Sequence, residues 1–175
     1  MTGSTLRQKP RALDAPAVEL AFNGLFLSRY NTRMSGGAQE PLYLPAAPGE
    51  PAHLRYRQDF AASALHEAAH WCIAGPDRRR EEDFGYIYVP LPRSPLQQQR
   101  FFAAELTTQA LERYFAAAAG IDFYPSADNL EADIGEFSRA LVAHTPRLKA
   151  WLSSPAASRA RAFHQRLDKA RHGSR

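Results

Sequence analysis

One stretch constrains this chain more than any other: Ser63 to Pro76, SALHEAAHWCIAGP. Its apolar residues and its Gly75-Pro76 stop predict a buried helix, yet it carries His66, Glu67 and His70. Residues four apart on a helix lie on one face, so the two imidazoles can converge on one metal ion. Glu67 is one position on, beside such an ion, where a carboxyl group can move a proton. Leu65, Ala68, Ala69, Trp71 and Ile73 mark the helix as core, and burying a carboxylate without a partner is costly. Buried histidines are often hydrogen-bonded core residues, and five-residue motifs arise by chance. Three polar groups on one buried helix with a sharp stop favour the metal site.

Two histidines leave an ion short of ligands. The three-histidine zinc motif needs Gly and His where this chain has Ile73 and Pro76, so a carboxylate is the better third donor. Glu105, in FFAAELTTQALERYF, follows His70 by 35 positions and is the leading candidate. Glu112 competes, seven residues further on. Asp128, Glu131 and Asp133, in SADNLEADIGE, form a second acidic cluster. It could ligate, orient a histidine or bind a basic substrate group, and Asp128 or Asn129 could simply cap a helix. With zinc, two histidines and a carboxylate make a metallopeptidase site; with Fe(II) and open positions, an oxygen-activating one. The residues alone leave both open.

The rest of the chain predicts an α+β fold: a single, mostly helical domain with a small sheet. A flexible leader spans 1–16, the main domain 17–152, and a basic C-terminal helix or tail 153–175. Helices are expected at Val18–Tyr30, Gln58–Ala74 (with Ser63 as a cap), Ser94–Ala119, Ile134–His144 and Arg147–Leu152. The stretch 31–51, with Gly36-Gly37 and four prolines, reads as loop around a short extended piece at Leu42–Leu44. Phe84–Val89 reads as a strand ended by Pro90, and the charged run Arg78–Asp83 as solvated. In the tail, Ala160, Phe163, Leu167 and Ala170 form a helical stripe.

The formal charge of +4 is concentrated in that tail, where five arginines and one lysine face only Asp168. It favours an acidic partner; direct nucleic-acid binding is not expected. No signal peptide and no membrane-spanning run is visible. Cys72 has no partner for an internal disulfide and reads as a core thiol. The expected location is the cytoplasm.

The chain resembles the elongation factor P hydroxylase family. The matching pieces run from Asn31-Thr32-Arg33 and Glu40-Pro41-Leu42-Tyr43-Leu44-Pro45-Ala46 to Ser63-Ala64-Leu65-His66-Glu67 and His70-Trp71-Cys72-Ile73-Ala74-Gly75. They continue through Arg78-Arg79, Asp83-Phe84-Gly85-Tyr86, Glu105, Gln109-Ala110-Leu111, Ala118-Ala119-Gly120 and Asp128-Asn129-Leu130-Glu131. The resemblance implies a metallopeptidase-like scaffold with a zincin-like active helix, reused for oxygen chemistry. It also implies hydroxylation of a β-lysylated lysine on elongation factor P, the expected partner. His66 and His70 match the family's metal-ligand histidines, Glu105 falls in its downstream carboxylate segment, and Glu67 matches the motif glutamate. The cofactor expected is a divalent metal, Fe(II) first and zinc second. No 2-oxoglutarate-binding β-helix pattern is recognisable. On this reading Phe84–Val89 borders the cleft with Tyr86 and Tyr88, while Asp128, Glu131 and Asp133 meet the substrate's amino groups and the basic tail helps docking. The rivals are a zinc metallopeptidase of the HExxH type and a non-enzymatic ribosome- or RNA-binding module.

Overall fold

A computed structural model describes residues 11–86, 93–126 and 134–173. Its elements in chain order are α1 (Ala15–Tyr30), β1 (Thr32–Ala38), β2 (Leu42–Leu44), β3 (Ala52–Arg57), α2 (Ala61–Ile73), α3 (Pro95–Ala119), α4 (Ile134–Leu152) and α5 (Ser158–Gly173). This is the expected α+β architecture, mostly helical with a small sheet. No described helix is long and apolar enough to cross a membrane.

The sheet has the order β1-β3-β2, with β1 parallel and β2 antiparallel to β3. Only β2 was expected. β3, AHLRYR, alternates as a half-buried strand should: Ala52, Leu54 and Tyr56 are buried, and His53 and Arg55 are less so. β1 carries Gly36 and Gly37 at a register shift between Ser35 and Ala38. A β-carbon on Gly36 would stand 2.7 Å from the Tyr56 ring, so Gly36 allows a close approach of β1 to the β3 side chain, while Gly37 takes a φ of 87° that favours glycine.

α1 starts at Ala15, capped by the Asp14 carboxylate on Ala17 N, so its first two residues lie inside the segment read as leader. α2 starts at Ala61, three residues later than expected. Ser63 does not cap it; its hydroxyl accepts from Arg57 N at 3.0 Å. Ser94 caps α3 through a reciprocal box with Gln97, and Gly120 closes it in the left-handed region. α4 runs unbroken through Pro146, where two helices were expected. The expected strand at 84–89 is overturned at its start: Glu82–Gly85 forms a 3-10 turn, and 87–89 lie outside the described residues.

α2 lies at the centre. Leu65, Ala68, Ala69 and Trp71 are fully buried among α1, β3, α3 and α5. Trp71 meets Phe22 edge-on at 5.1 Å and Phe26 at 4.7 Å, and Phe163 of α5 meets Phe22 at 5.7 Å. The stripe on α5 is core: Ala160, Phe163 and Leu167 are fully buried.

Three arginines of α5 have internal partners. Arg159 donates to Cys72 O and Ala74 O at the end of α2. Arg161 donates to Leu152 O and Ser154 O at the end of α4. Arg171 donates to Ala117 O near the end of α3. Helix C-termini carry unpaired carbonyls and partial negative charge, which guanidinium groups satisfy together. Much of the local positive charge thus has a structural role.

Candidate metal centre

Two helices build the centre. α2 presents His66 and His70 on one face, and α3 presents Glu105 across from them. His66 Nε2 lies 3.1 Å from His70 Nε2 and 3.6 Å from Glu105 Oε2, and His70 Nε2 lies 3.3 Å from Glu105 Oε1. Donor atoms about 2.0–2.1 Å from a small ion stand about 3.0–3.4 Å from one another; two of the three separations fall in that range and the His66–Glu105 one is slightly longer, so the donor set suits a divalent metal with a small adjustment of the carboxylate. Among the described residues, these three form the group of His, Cys, Asp and Glu that could hold one.

Glu112 does not join that triangle. Its Oε2 accepts from His66 Nδ1 at 2.8 Å, on the far side of the ring. The face of α3 that carries Glu105 also carries Thr108, Gln109 and Glu112, at offsets of three, four and seven. Thr108 Oγ1 lies 3.4 Å from His70 Nδ1. The Gln109 amide donates to Glu105 Oε2 at 3.4 Å, and its own orientation is fixed by a two-way bond with the Ser126 backbone. Glu105 and Glu112, either of which could have been surface residues, are 5% and 9% exposed.

The electrostatics follow from this enclosure. Burial works to raise the Glu105 pKa, but the His70 hydrogen bond and the two imidazoles hold it down at about 2. Burial works to lower His66, but the Glu112 hydrogen bond and the carboxylates of Glu67, Glu105 and Glu112 pull it up to about 10. Glu67 is 8% exposed, and burial pushes its carboxyl group up despite both imidazoles, with Glu105 and Asp83 adding to the rise. Such a carboxyl group is suited to holding a proton and giving it up. Cys72 is buried, and burial raises its thiol pKa strongly, as a core thiol requires.

Beside His70 opens a cavity of about 290 Å³, lined by Arg78, Phe84, Tyr86, Ala104, Thr107 and Thr108 among others. Asp83, Phe84 and Gly85 are consecutive left-handed residues with φ of 47°, 58° and 68°, and positive φ is rare for a bulky residue. The kink is held by Asp83, which accepts from Tyr43 N at 2.8 Å. It is also held by Phe84, stacked on Tyr43 at 4.2 Å. Arg78 donates to Phe84 O at 2.9 Å and sits 5.4 Å over the Tyr86 ring. Tyr86 stands 6.1 Å from the His70 ring, edge-on. Part of the charged run read as solvated therefore shapes the cavity wall.

Tyr88, Asp128, Glu131 and Asp133 lie outside the described residues. Thr108, Gln109 and Arg78 were not singled out as site residues by sequence. For Thr108 and Gln109 the signal was present in their spacing from Glu105; for Arg78 it was not, because a left-handed kink brings it in.

A family model described as elongation factor P hydroxylase matches residues 21–174, and so includes α5. A curated relative, the elongation factor P lysine hydroxylase of Haemophilus influenzae, is 47% identical over 116 residues. That alignment covers 66% of this chain and 65% of the relative, just under two thirds of its length.

Proposed function

The chain belongs to the elongation factor P hydroxylase family, and from that premise we propose that it hydroxylates a lysine side chain of elongation factor P, after that lysine has been β-lysylated. The observation that carries the reading is the convergence of His66, His70 and Glu105 beside an open cavity. His66 Nε2, His70 Nε2 and the Glu105 carboxylate would hold the ion, Fe(II) in preference to zinc. When bound, Fe(II) in such a donor set supplies activation of dioxygen, so that one oxygen atom can enter a C–H bond.

The protein's own groups do the rest. Glu112, Thr108 and Gln109 hold the three ligands in orientation. Glu67, kept towards its protonated form by burial, holds the proton available at the site. The cavity admits an extended side chain between Tyr86, Phe84 and Ala104, whose apolar surfaces exclude water around the carbon to be oxidised. Asp128 and Glu131, with Asp133, are proposed to meet the substrate's amino groups. Alanine at Glu131 leaving substrate affinity unchanged would remove that role.

The test is intact-protein mass spectrometry on lysylated elongation factor P, incubated in air with this protein, Fe(II) and a reductant. Gain of one oxygen mass is expected, and its loss with His66→Ala. Shortened fragments, in place of that gain, would indicate a peptidase instead.

A further inference from the structure

The two histidines that converge on Glu105 are not backed equally. Each presents Nε2 to Glu105 and Nδ1 to another residue of the same helix α3, Glu112 for His66 and Thr108 for His70. Behind His66 stands a buried carboxylate, Glu112, at 2.8 Å. That is the length of a charge-assisted bond, roughly twice as strong as a neutral one. Behind His70 stands a neutral hydroxyl, Thr108, at 3.4 Å, near the limit at which a hydrogen bond counts. An acceptor on Nδ1–H fixes the tautomer that leaves the Nε2 lone pair free, and an anionic acceptor makes that lone pair the stronger donor. The cavity is also placed asymmetrically: it is lined by His70 and Thr108, and neither His66 nor Glu105 lines it.

We propose that α3 makes the two histidines unequal. Glu112 is the positioning residue that renders His66 the firmly held donor, and the weak Thr108 contact leaves His70 the adaptable one, beside the space where substrate enters. The spacing on α3 accomplishes this within two turns: Glu105 donates to the ion, Thr108 backs the second histidine and Glu112 the first. This inference rests on the proposed metal site.

The experiment uses Co(II) as a spectroscopic probe on the full chain, with affinity measured by competition against a chromophoric chelator. Glu112→Gln keeps volume and an acceptor but removes charge; Glu112→Ala removes both. Affinity is expected to fall about 10–100-fold in Glu112→Gln and further in Glu112→Ala, with a shift of the Co(II) visible bands. Thr108→Val is expected to lose less than Glu112→Gln and to leave the bands nearly in place. A change in packing alone would not reproduce that order or move the bands. Equal losses in Thr108→Val and Glu112→Gln, or an unchanged affinity in Glu112→Gln, would overturn the inequality while leaving the metal site standing. A wild-type chain that takes up no Co(II) would overturn the metal site itself, and this inference with it.

Discussion

Arg159 offers a test of whether α5 is structural. Its Nη2 donates to Cys72 O at 3.1 Å and Ala74 O at 2.7 Å, and its guanidinium lies 4.5 Å over the Trp71 ring. The residue is 8% exposed, and among the described residues its Nη1 has no partner. In Arg159→Met the apolar stem is kept. Ala74 O retains a bond from Arg79 Nη1 at 3.2 Å, so the carbonyl left bare is that of Cys72. An orphaned buried acceptor costs about 1–3 kcal/mol, and a desolvated cation–π contact is worth about 2 kcal/mol. Release of a buried cation with one unsatisfied nitrogen offsets part of this, about 1–2 kcal/mol. The net expectation is a loss of about 1–4 kcal/mol, or about 2–16 °C in Tm for a domain of this size. Differential scanning calorimetry at constant pH measures it. A Tm equal to or above wild type would show that burying the charge costs more than its contacts return, and the reasoning that α5 caps the histidine-bearing helix α2 would be wrong.

Four further outcomes follow from the geometry. Glu105→Gln should weaken metal binding by more than the ~10–100-fold typical of outer contacts, read by chelator competition; a smaller loss would point to a different third ligand. Glu67→Gln should leave metal content unchanged while turnover falls by about 10²–10⁴; unchanged turnover would remove its proton role. Burial depresses the pKa of His164, which stacks on Tyr114 at 3.9 Å, so the folded state disfavours its proton. Its contribution is complete above the unfolded value near 6.5 and is lost as pH falls through the folded value; His164→Phe should flatten the acid side of the Tm–pH curve, and an unaltered curve would contradict this. Gly85→Ala places a β-carbon against the Glu81 carboxylate at φ 68°, a conformation costing about 1–2 kcal/mol. It should lower Tm and raise KM as Tyr86 shifts, whereas wild-type values for both would mean the kink is not needed.

The histidine-bearing helix was legible because its signals are local: two histidines four apart, an apolar surround and a Gly-Pro stop. α3 was legible at both ends, from Ser94 with Pro95 and from Gly120. β1 was not, because Gly36 and Gly37 signal a turn in sequence, and only the Tyr56 ring lying against Gly36 accounts for a glycine within the strand there. The 3-10 turn at Phe84 was read as strand from its aromatic and β-branched composition; the left-handed φ values there are held by Tyr43, some forty residues away. The choice between Glu105 and Glu112 stayed open in sequence because both share a helical face. The side of the His66 ring that each one meets separates them. The capping role of Arg159, Arg161 and Arg171 was not legible, because the charge of the tail reads in sequence as a solvated face or a docking surface and the helix ends of α2 and α3 are distant in sequence.

The most direct test of the central claim is the origin of the added oxygen. Lysylated elongation factor P is incubated with the Fe(II)-loaded chain and a reductant, once under ¹⁸O₂ in ordinary water and once under ordinary O₂ in H₂¹⁸O, and the modified lysine is analysed by mass spectrometry. The account predicts heavy oxygen in the lysine side chain from the gas and none from the water, in a reaction abolished by His70→Ala. Label arriving from water, or cleavage of the acceptor without oxygen gain, would contradict it.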